Sequence, residues 1–294
     1  MAEFFFSFPR SAWERTEGRS AARPSAPPSG EACVPTQSVG TSSTRKVAII
    51  GNLAVLVLLV AASSSLAADP QLGRIAPCGG QRGTELDVVL AGARLGDAQE
   101  IMFYYPGIRV VKFEPQKDGT VKARLAIAGD CRLGLHALRL RTATGISNLL
   151  QFSVGSLPEI TETEPNNDFA KAQKIPLGVT VNGVVENEDV DSFVVEAKKG
   201  QRITAEIEGV RLGEAFFDPS LAILDRNRFV LAEADDTPLA FQDSVVSAVA
   251  PKDGSYVIQA RESAFGGSPQ CRYRLHVGTF PRPLAACPFG GKPG

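Results

Sequence analysis

Thr120-Val121-Lys122-Ala123-Arg124-Leu125-Ala126-Ile127 alternates apolar positions with charged or small ones. A β-strand sends successive side chains to opposite faces, so Val121, Ala123, Leu125 and Ile127 share one buried face while Lys122 and Arg124 face water. The same period recurs in Leu86, Val88, Leu90, in His136, Leu138, Leu140 and in Leu150, Phe152, Val154. Gly, Pro and Asp signals separate these runs, which is the pattern of antiparallel strands with one wet side. Seven strands are expected, near Gln71–Pro77, Thr84–Ala91, Glu100–Tyr104, Ile108–Glu114, Thr120–Ile127, Leu135–Thr142 and Asn148–Val154. That number of strands in 69–156 has the size of an immunoglobulin-type sandwich.

Downstream, a second strand-rich segment spans 161–280. Strands are expected at Thr180–Val185, Asp191–Ala197, Arg202–Ile207, Leu221–Leu224, Phe229–Ala232, Ser244–Ala250, Ser255–Arg261 and Arg272–Val277. A short amphipathic helix is expected over Phe169–Lys174, with Asn167 or Asp168 as its N-cap. The core-facing residues are read as Phe193, Val195, Ile203, Ala205, Ile207, Leu221, Ile223, Tyr256, Ile258, Tyr273, Leu275 and Val277. The fold class is therefore all-β: two antiparallel β-sandwiches in tandem, joined by a polar stretch near Leu157–Pro165 that would allow relative motion.

Composition agrees with a globular chain of about two domains. Apolar residues make up 44% of it, enough for a packed core, and 28 Gly with 20 Pro suit a fold rich in turns. The formal net charge is −1 and no basic stripe runs along the chain, so a nucleic-acid partner is excluded. The five cysteines, Cys33, Cys78, Cys131, Cys271 and Cys287, contain no C-x-x-C pair, which removes zinc-ribbon and thioredoxin-like readings. In an exported chain Cys78 could bridge Cys131; the other reading is that each is a small residue without a bridge.

Residues 1–46 are rich in Ser, Pro, Ala and Arg without periodicity and read as disordered, upstream of the true start of the protein. Segment 47–68 follows Arg45-Lys46, is apolar over Val47–Ala62 and ends in Ser65-Leu66-Ala67-Ala68. That is the grammar of a secretory signal peptide cleaved near Ala68 or Asp69, with an uncleaved N-terminal membrane anchor as the alternative. Export places the chain outside the cell or in its envelope. At the other end, Ala286-Cys287-Pro288-Phe289-Gly290-Gly291-Lys292-Pro293-Gly294 echoes Ala76-Pro77-Cys78-Gly79-Gly80-Gln81-Arg82-Gly83, so 281–294 reads as the start of a truncated further module in a tandem array.

Two resemblances sharpen this outline. Arg74-Ile75-Ala76-Pro77-Cys78-Gly79-Gly80-Gln81-Arg82-Gly83-Thr84 and Gly92-Ala93-Arg94-Leu95 resemble the opening of IPT/TIG-like immunoglobulin domains. In the second segment the marks are Glu164-Pro165-Asn166-Asn167, Gly183-Val184-Val185, Asp189-Val190-Asp191-Ser192-Phe193, Gly200-Gln201, Asp235-Asp236, Asp243-Ser244 and Asp253-Gly254-Ser255-Tyr256. As a set they resemble the bacterial pre-peptidase C-terminal domain over Glu162–Val277, which implies a jelly-roll-like sandwich of eight or nine strands.

The candidate site is the cluster of oxygen donors where the linker enters this segment. Glu162, Glu164, Asn166 and Asn167 come first, and Glu188, Asp189 and Asp191 follow about twenty residues later. Hard cations such as Ca²⁺ take six to eight oxygens from such groups, and all-oxygen donors argue against Zn²⁺ or Cu²⁺. Resemblance to the collagen-binding domain of bacterial collagenases, a relative of the same module, implies Ca²⁺ held by Glu162, Glu164, Asn166, Asn167 and Asp191. Either Glu188 or Asp189 completes the set. Asn167 stands where that family often has Asp, which lowers the ligand charge. The competing reading is a solvated linker whose Asn residues make turns and cap the helix. Asp225 with Asp235-Asp236 reads as a second acidic patch on a solvated hairpin.

Catalytic motifs are missing from the sequence: no G-x-S-x-G elbow, no H-E-x-x-H and no P-loop. Parity places His136 inward and His276 toward solvent. The function expected is a non-catalytic extracellular or cell-envelope interaction module, with a protein or polysaccharide as partner. The alternative is an ancillary segment of a secreted peptidase whose catalytic part lies elsewhere.

Overall fold

The computed structural model describes residues 69–283 together with 285, 287, 288 and 290–292. The segments 1–46 and 47–68, and with them the signal or anchor expectation, lie outside the described residues. No helix among the described residues is long and apolar enough to cross a membrane.

The first sandwich contains β1 (Gln71–Ala76), β2 (Gly79–Gln81), β3 (Glu85–Ala93), β4 (Ala98–Phe103), β5 (Ile108–Pro115), β6 (Val121–Ile127), β7 (Gly134–Thr142) and β8 (Leu150–Gly155). They form two four-stranded sheets in the orders β1-β3-β6-β5 and β2-β8-β7-β4. The alternating residues meet between the sheets: Val88, Leu90, Val121, Leu125, Leu138, Leu140 and Phe152 are all buried in one cluster. All seven expected strands are present. The eighth, β2, pairs parallel to β8 through Gly79, Gly80 and Gln81, residues that lie between two of the expected strands.

The second sandwich adds β9 (Glu159–Thr161), β10 (Gln173–Lys174), β11 (Val179–Val184), β12 (Val190–Ala197), β13 (Arg202–Glu208), β14 (Pro219–Leu224), β15 (Val230–Ala234), β16 (Val245–Val249), β17 (Gly254–Glu262) and β18 (Arg272–Gly278). Its sheets run β10-β12-β17-β14-β15 and β16-β13-β18-β11-β9. Every one of the twelve core residues read from sequence belongs to its buried cluster. The expected helix is a correction. Only a 3₁₀ turn, Phe169–Lys171, forms there, with Asp168 Oδ1 accepting from the Ala170 amide at 3.1 Å. Gln173 and Lys174 then leave the turn to pair with Phe193 and Val194. Six residues cannot repay helix nucleation when a sheet edge offers partners.

The stretch read as a linker is also more ordered than its polarity suggested. Glu159, Ile160 and Thr161 pair parallel with Thr180, Val181 and Asn182. Both sandwiches fall within one compact unit, Ser64–Gly294. Leu212, from the second segment, is buried in the first sandwich's core cluster. Nearby, the Ile75 amide donates to Glu214 Oε1 at 2.8 Å.

This packing corrects the reading of His276. It does lie opposite Leu275 and Val277, but its face of the sheet is covered by the end of the first sandwich, and it is buried. Thr204, Glu206, Glu208 and Arg274 share that covered polar face. The proposed Cys78–Cys131 bridge is absent, and both thiols are free. Cys78 lies at the junction, where burial pushes its thiol up to about 12, whereas Cys131 sits against Gly107 and His136.

Candidate functional site

The acidic cluster forms where the polypeptide leaves β9 and crosses the ends of β11, β12 and β18. Pairing of β9 with β11 fixes Glu162, whose amide continues the ladder to the Asn182 carbonyl at 3.0 Å. Glu162 Oε1 accepts from the Val184 amide at 2.7 Å, and Oε2 accepts from the Tyr273 hydroxyl at 2.9 Å. Asp191, near the start of β12, reaches the same hydroxyl through Oδ2 at 2.8 Å. Gly183 makes this meeting possible: a methyl at its position would overlap both Glu162 Oε2 and the Tyr273 hydroxyl.

One oxygen from each of Glu162, Glu164 and Asp191 lies within 4.8 Å of the others. Oxygens on opposite sides of a Ca²⁺ ion stand about 5 Å apart, so the spacing suits a shared hard cation. Asp191 is fully buried, and its Oδ1 has no hydrogen-bond partner among the described residues. Asn166 is likewise fully buried, with neither side-chain polar atom partnered. Glu164 Oε2 accepts from the Asn166 amide at 2.8 Å, which tethers that carboxylate over the turn.

The charges reinforce one another. Burial, then the neighbouring Glu162 carboxylate, lifts the Asp191 carboxyl to about 9, with Asp189 and Glu164 adding to the effect. Burial lifts Glu162 to about 7 against the opposing hydrogen bonds from Tyr273 and Val184. Tyr273 has one hydroxyl proton for two carboxylate contacts. Without a cation, one carboxyl must itself be protonated for both contacts to be hydrogen bonds, and burial with carboxylate repulsion favours that protonation even though the Tyr273 contacts oppose it.

Of the two alternatives for the last ligand, Asp189 lies beside the cluster and Glu188 outside it. Asp189 Oδ1 accepts from Asn167 Nδ2, and its Oδ2 accepts from the Glu186 amide at 3.2 Å. Asp189 and Asn167 line a cleft of about 510 Å³ with Glu162 and Glu164. Glu188 is exposed on the turn, with φ 59°, and its amide donates to the Phe265 carbonyl. Sequence reasoning missed Tyr273 as a site residue because its apolar alternation assigned it wholly to the core. It is both, with ring in the core and hydroxyl in the site.

A second polar group occupies the junction. Arg274, fully buried, bridges Glu159, Glu208 Oε2 at 3.3 Å and the Ser153 carbonyl at 3.1 Å. His276 links Thr180 Oγ1 at 2.8 Å to Glu208 at 3.3 Å. Burial opposes ionisation of Glu208, yet His276, Arg274 and Arg211 hold its carboxyl well below the usual range. The row of hydroxyl, imidazole and carboxylate superficially matches a nucleophile triad, but Thr180 has no exposed surface through which to reach a substrate.

No family model and no curated protein matches the chain. Among solved structures it is similar to the pre-peptidase C-terminal domain of a Bacillus anthracis collagenase, at 17% identity over 40% of this chain and 99% of that one, with TM-score 0.29. It is also similar to PliG, a periplasmic inhibitor of g-type lysozyme from Aeromonas hydrophila, at 17% identity over 36% and 96%, TM-score 0.28. A third is SGBP-B of the Bacteroides ovatus mixed-linkage glucan utilization locus, solved with a mixed-linkage heptasaccharide, at 10% identity over 71% and 75%, TM-score 0.26. Scores this low assign no function to the chain.

Proposed function

We propose that this chain is a non-catalytic interaction module of the cell exterior or envelope, with its second sandwich tied to the entering linker by Ca²⁺. The observation that carries the cation is the convergence of Glu162, Glu164 and Asp191 within 4.8 Å around a buried, unpartnered Asp191 oxygen. Asp189 and the carbonyl oxygens of Asn166 and Asn167 are the further donors. Bound Ca²⁺ supplies positive charge that replaces protons on Glu162 and Asp191 and fixes the linker against β11 and β12. The apolar segment 47–68 supports export, as a cleaved signal or as an anchor. The partner is an extracellular protein or a polysaccharide.

Calcium titration followed by thermal melts tests the cation. Binding to the folded state alone raises stability by about 2.7 kcal/mol at a hundredfold excess over Kd. Asp191→Ala should abolish the gain. An unchanged melting temperature at millimolar Ca²⁺ returns the cluster to a solvated, partly protonated linker.

A further inference from the structure

We infer that the first sandwich carries a carbohydrate-binding cleft between the free edges of β4 and β5, taking an oligosaccharide. This assignment rests on the reading of the chain as an interaction module and gives that module a place and a ligand class. β4 is the outermost strand of one sheet and β5 of the other, so the sandwich is open along this side. A cleft of about 550 Å³ lies there, within the range of small-ligand sites.

Its lining mixes aromatic faces with hydrogen-bonding groups. Tyr104 and Tyr105 are 55% and 46% exposed, and both line the cleft. Tyr105 is held in place by the Arg132 guanidinium, 4.1 Å from its ring centroid, and by the edge-on His136 ring at 5.9 Å. A ring braced in this way has little entropy left to lose on binding, and since Arg132 covers one face of Tyr105, Tyr104 supplies the main open aromatic surface. On the other flank Arg141 orients Gln99 and Glu100, its Nε donating to Glu100 Oε2 at 3.0 Å. Arg109 completes the polar rim. A pyranose ring presents an apolar C–H face to a tyrosine and hydroxyls to a rim of this kind.

The chief competitor is an extended peptide that would add as a strand to one edge. Both edges are broken against it. The β4 ladder has an irregularity between Ala98 and Glu100, and that of β5 between Val110 and Lys112, with Lys112 and Pro115 on the same strand. Bulges, lysine and proline are the devices that blunt an edge. A glycan needs side chains rather than a regular backbone ladder, so the broken edges do not hinder it.

The test is affinity electrophoresis of the full chain through gels containing hydroxyethyl cellulose, laminarin, xylan or galactomannan, with a peptide of alternating valine and threonine capped by lysines as control probe. At least one polysaccharide should retard the protein. The Tyr104→Ala/Tyr105→Ala double variant should lose at least about tenfold in affinity. Tyr104→Gln serves as a milder second variant, and melting temperatures confirm that both fold. No retardation by any glycan, or full retention by the folded tyrosine variants, overturns the assignment, as does binding of the peptide alone. Calcium-dependent melting read on the same samples keeps the two readings apart: a calcium response without glycan binding sinks the cleft and leaves the metal-tied module standing.

Discussion

Arg274 of β18 donates through Nη1 to the backbone carbonyl of Ser153 in β8, so a fully buried cation of the second sandwich satisfies the main chain of the first. Glu159 and Glu208 balance its charge. Gly79 lets the two approach, since a methyl there would overlap both the Ser153 carbonyl oxygen and the guanidinium. Removing one partner of such a group leaves uncompensated buried charge, which costs about 3–5 kcal/mol. Arg274→Ala should therefore lower the melting temperature and split one calorimetric transition into two. A single unshifted transition would show that Arg274 contributes nothing to the coupling of the two sandwiches.

Leu212→Ala tests the apolar half of the same junction. The side chain is buried in the first sandwich's core though it comes from the second segment. The loss should be about 2–5 kcal/mol in urea unfolding. It should register with probes placed in either sandwich.

The acidic site gives a pH dependence of defined sign. In the folded chain Asp191 and Glu162 titrate near 9 and 7, above their ordinary 3.8 and 4.5. The folded state thus holds protons that the unfolded state releases, and stability falls as pH rises from about 4 to about 9. Melting in chelator across that range should show the fall. Saturating Ca²⁺ should flatten it, and Asp191→Asn without calcium should leave only the part between about 4 and 7 that Glu162 carries.

Tyr273→Phe keeps the ring in the core and removes the hydroxyl shared by Glu162 and Asp191. In chelator the cost should be about 1–3 kcal/mol, the penalty for unsatisfied buried acceptors. With Ca²⁺ bound the cost should shrink, because the ion then serves both carboxylates. Equal losses in both conditions would mean that the hydroxyl and the ion do not serve the same oxygens.

Much of the fold was legible because a two-residue period survives any tertiary context that buries one face. Val121 through Ile127, and Tyr273 through Val277, fall where that period places them. What sequence could not supply were contacts with no periodic trace. Gly79-Gly80-Gln81 pairs as a strand although glycine signals a turn. His276 obeys its parity, but parity says nothing of a second body covering the polar face. At the acidic cluster the residue types were readable, but spacing alone could not tell that Asp189 lines the cleft against Asn167 while Glu188 stays exposed on the turn. Tyr273 was hidden by having two roles.

The parallel pairing of β9 with β11 has a practical meaning for anyone wishing to move the second sandwich elsewhere. A cut at Thr161, where the sequence pattern starts the second segment, would amputate an edge strand, strip Arg274 of Glu159 and leave Glu162 without its anchoring ladder. The portable unit begins upstream, by Pro158, whose carbonyl already accepts from the Thr180 amide. A graft made at that point carries its own doorway with it.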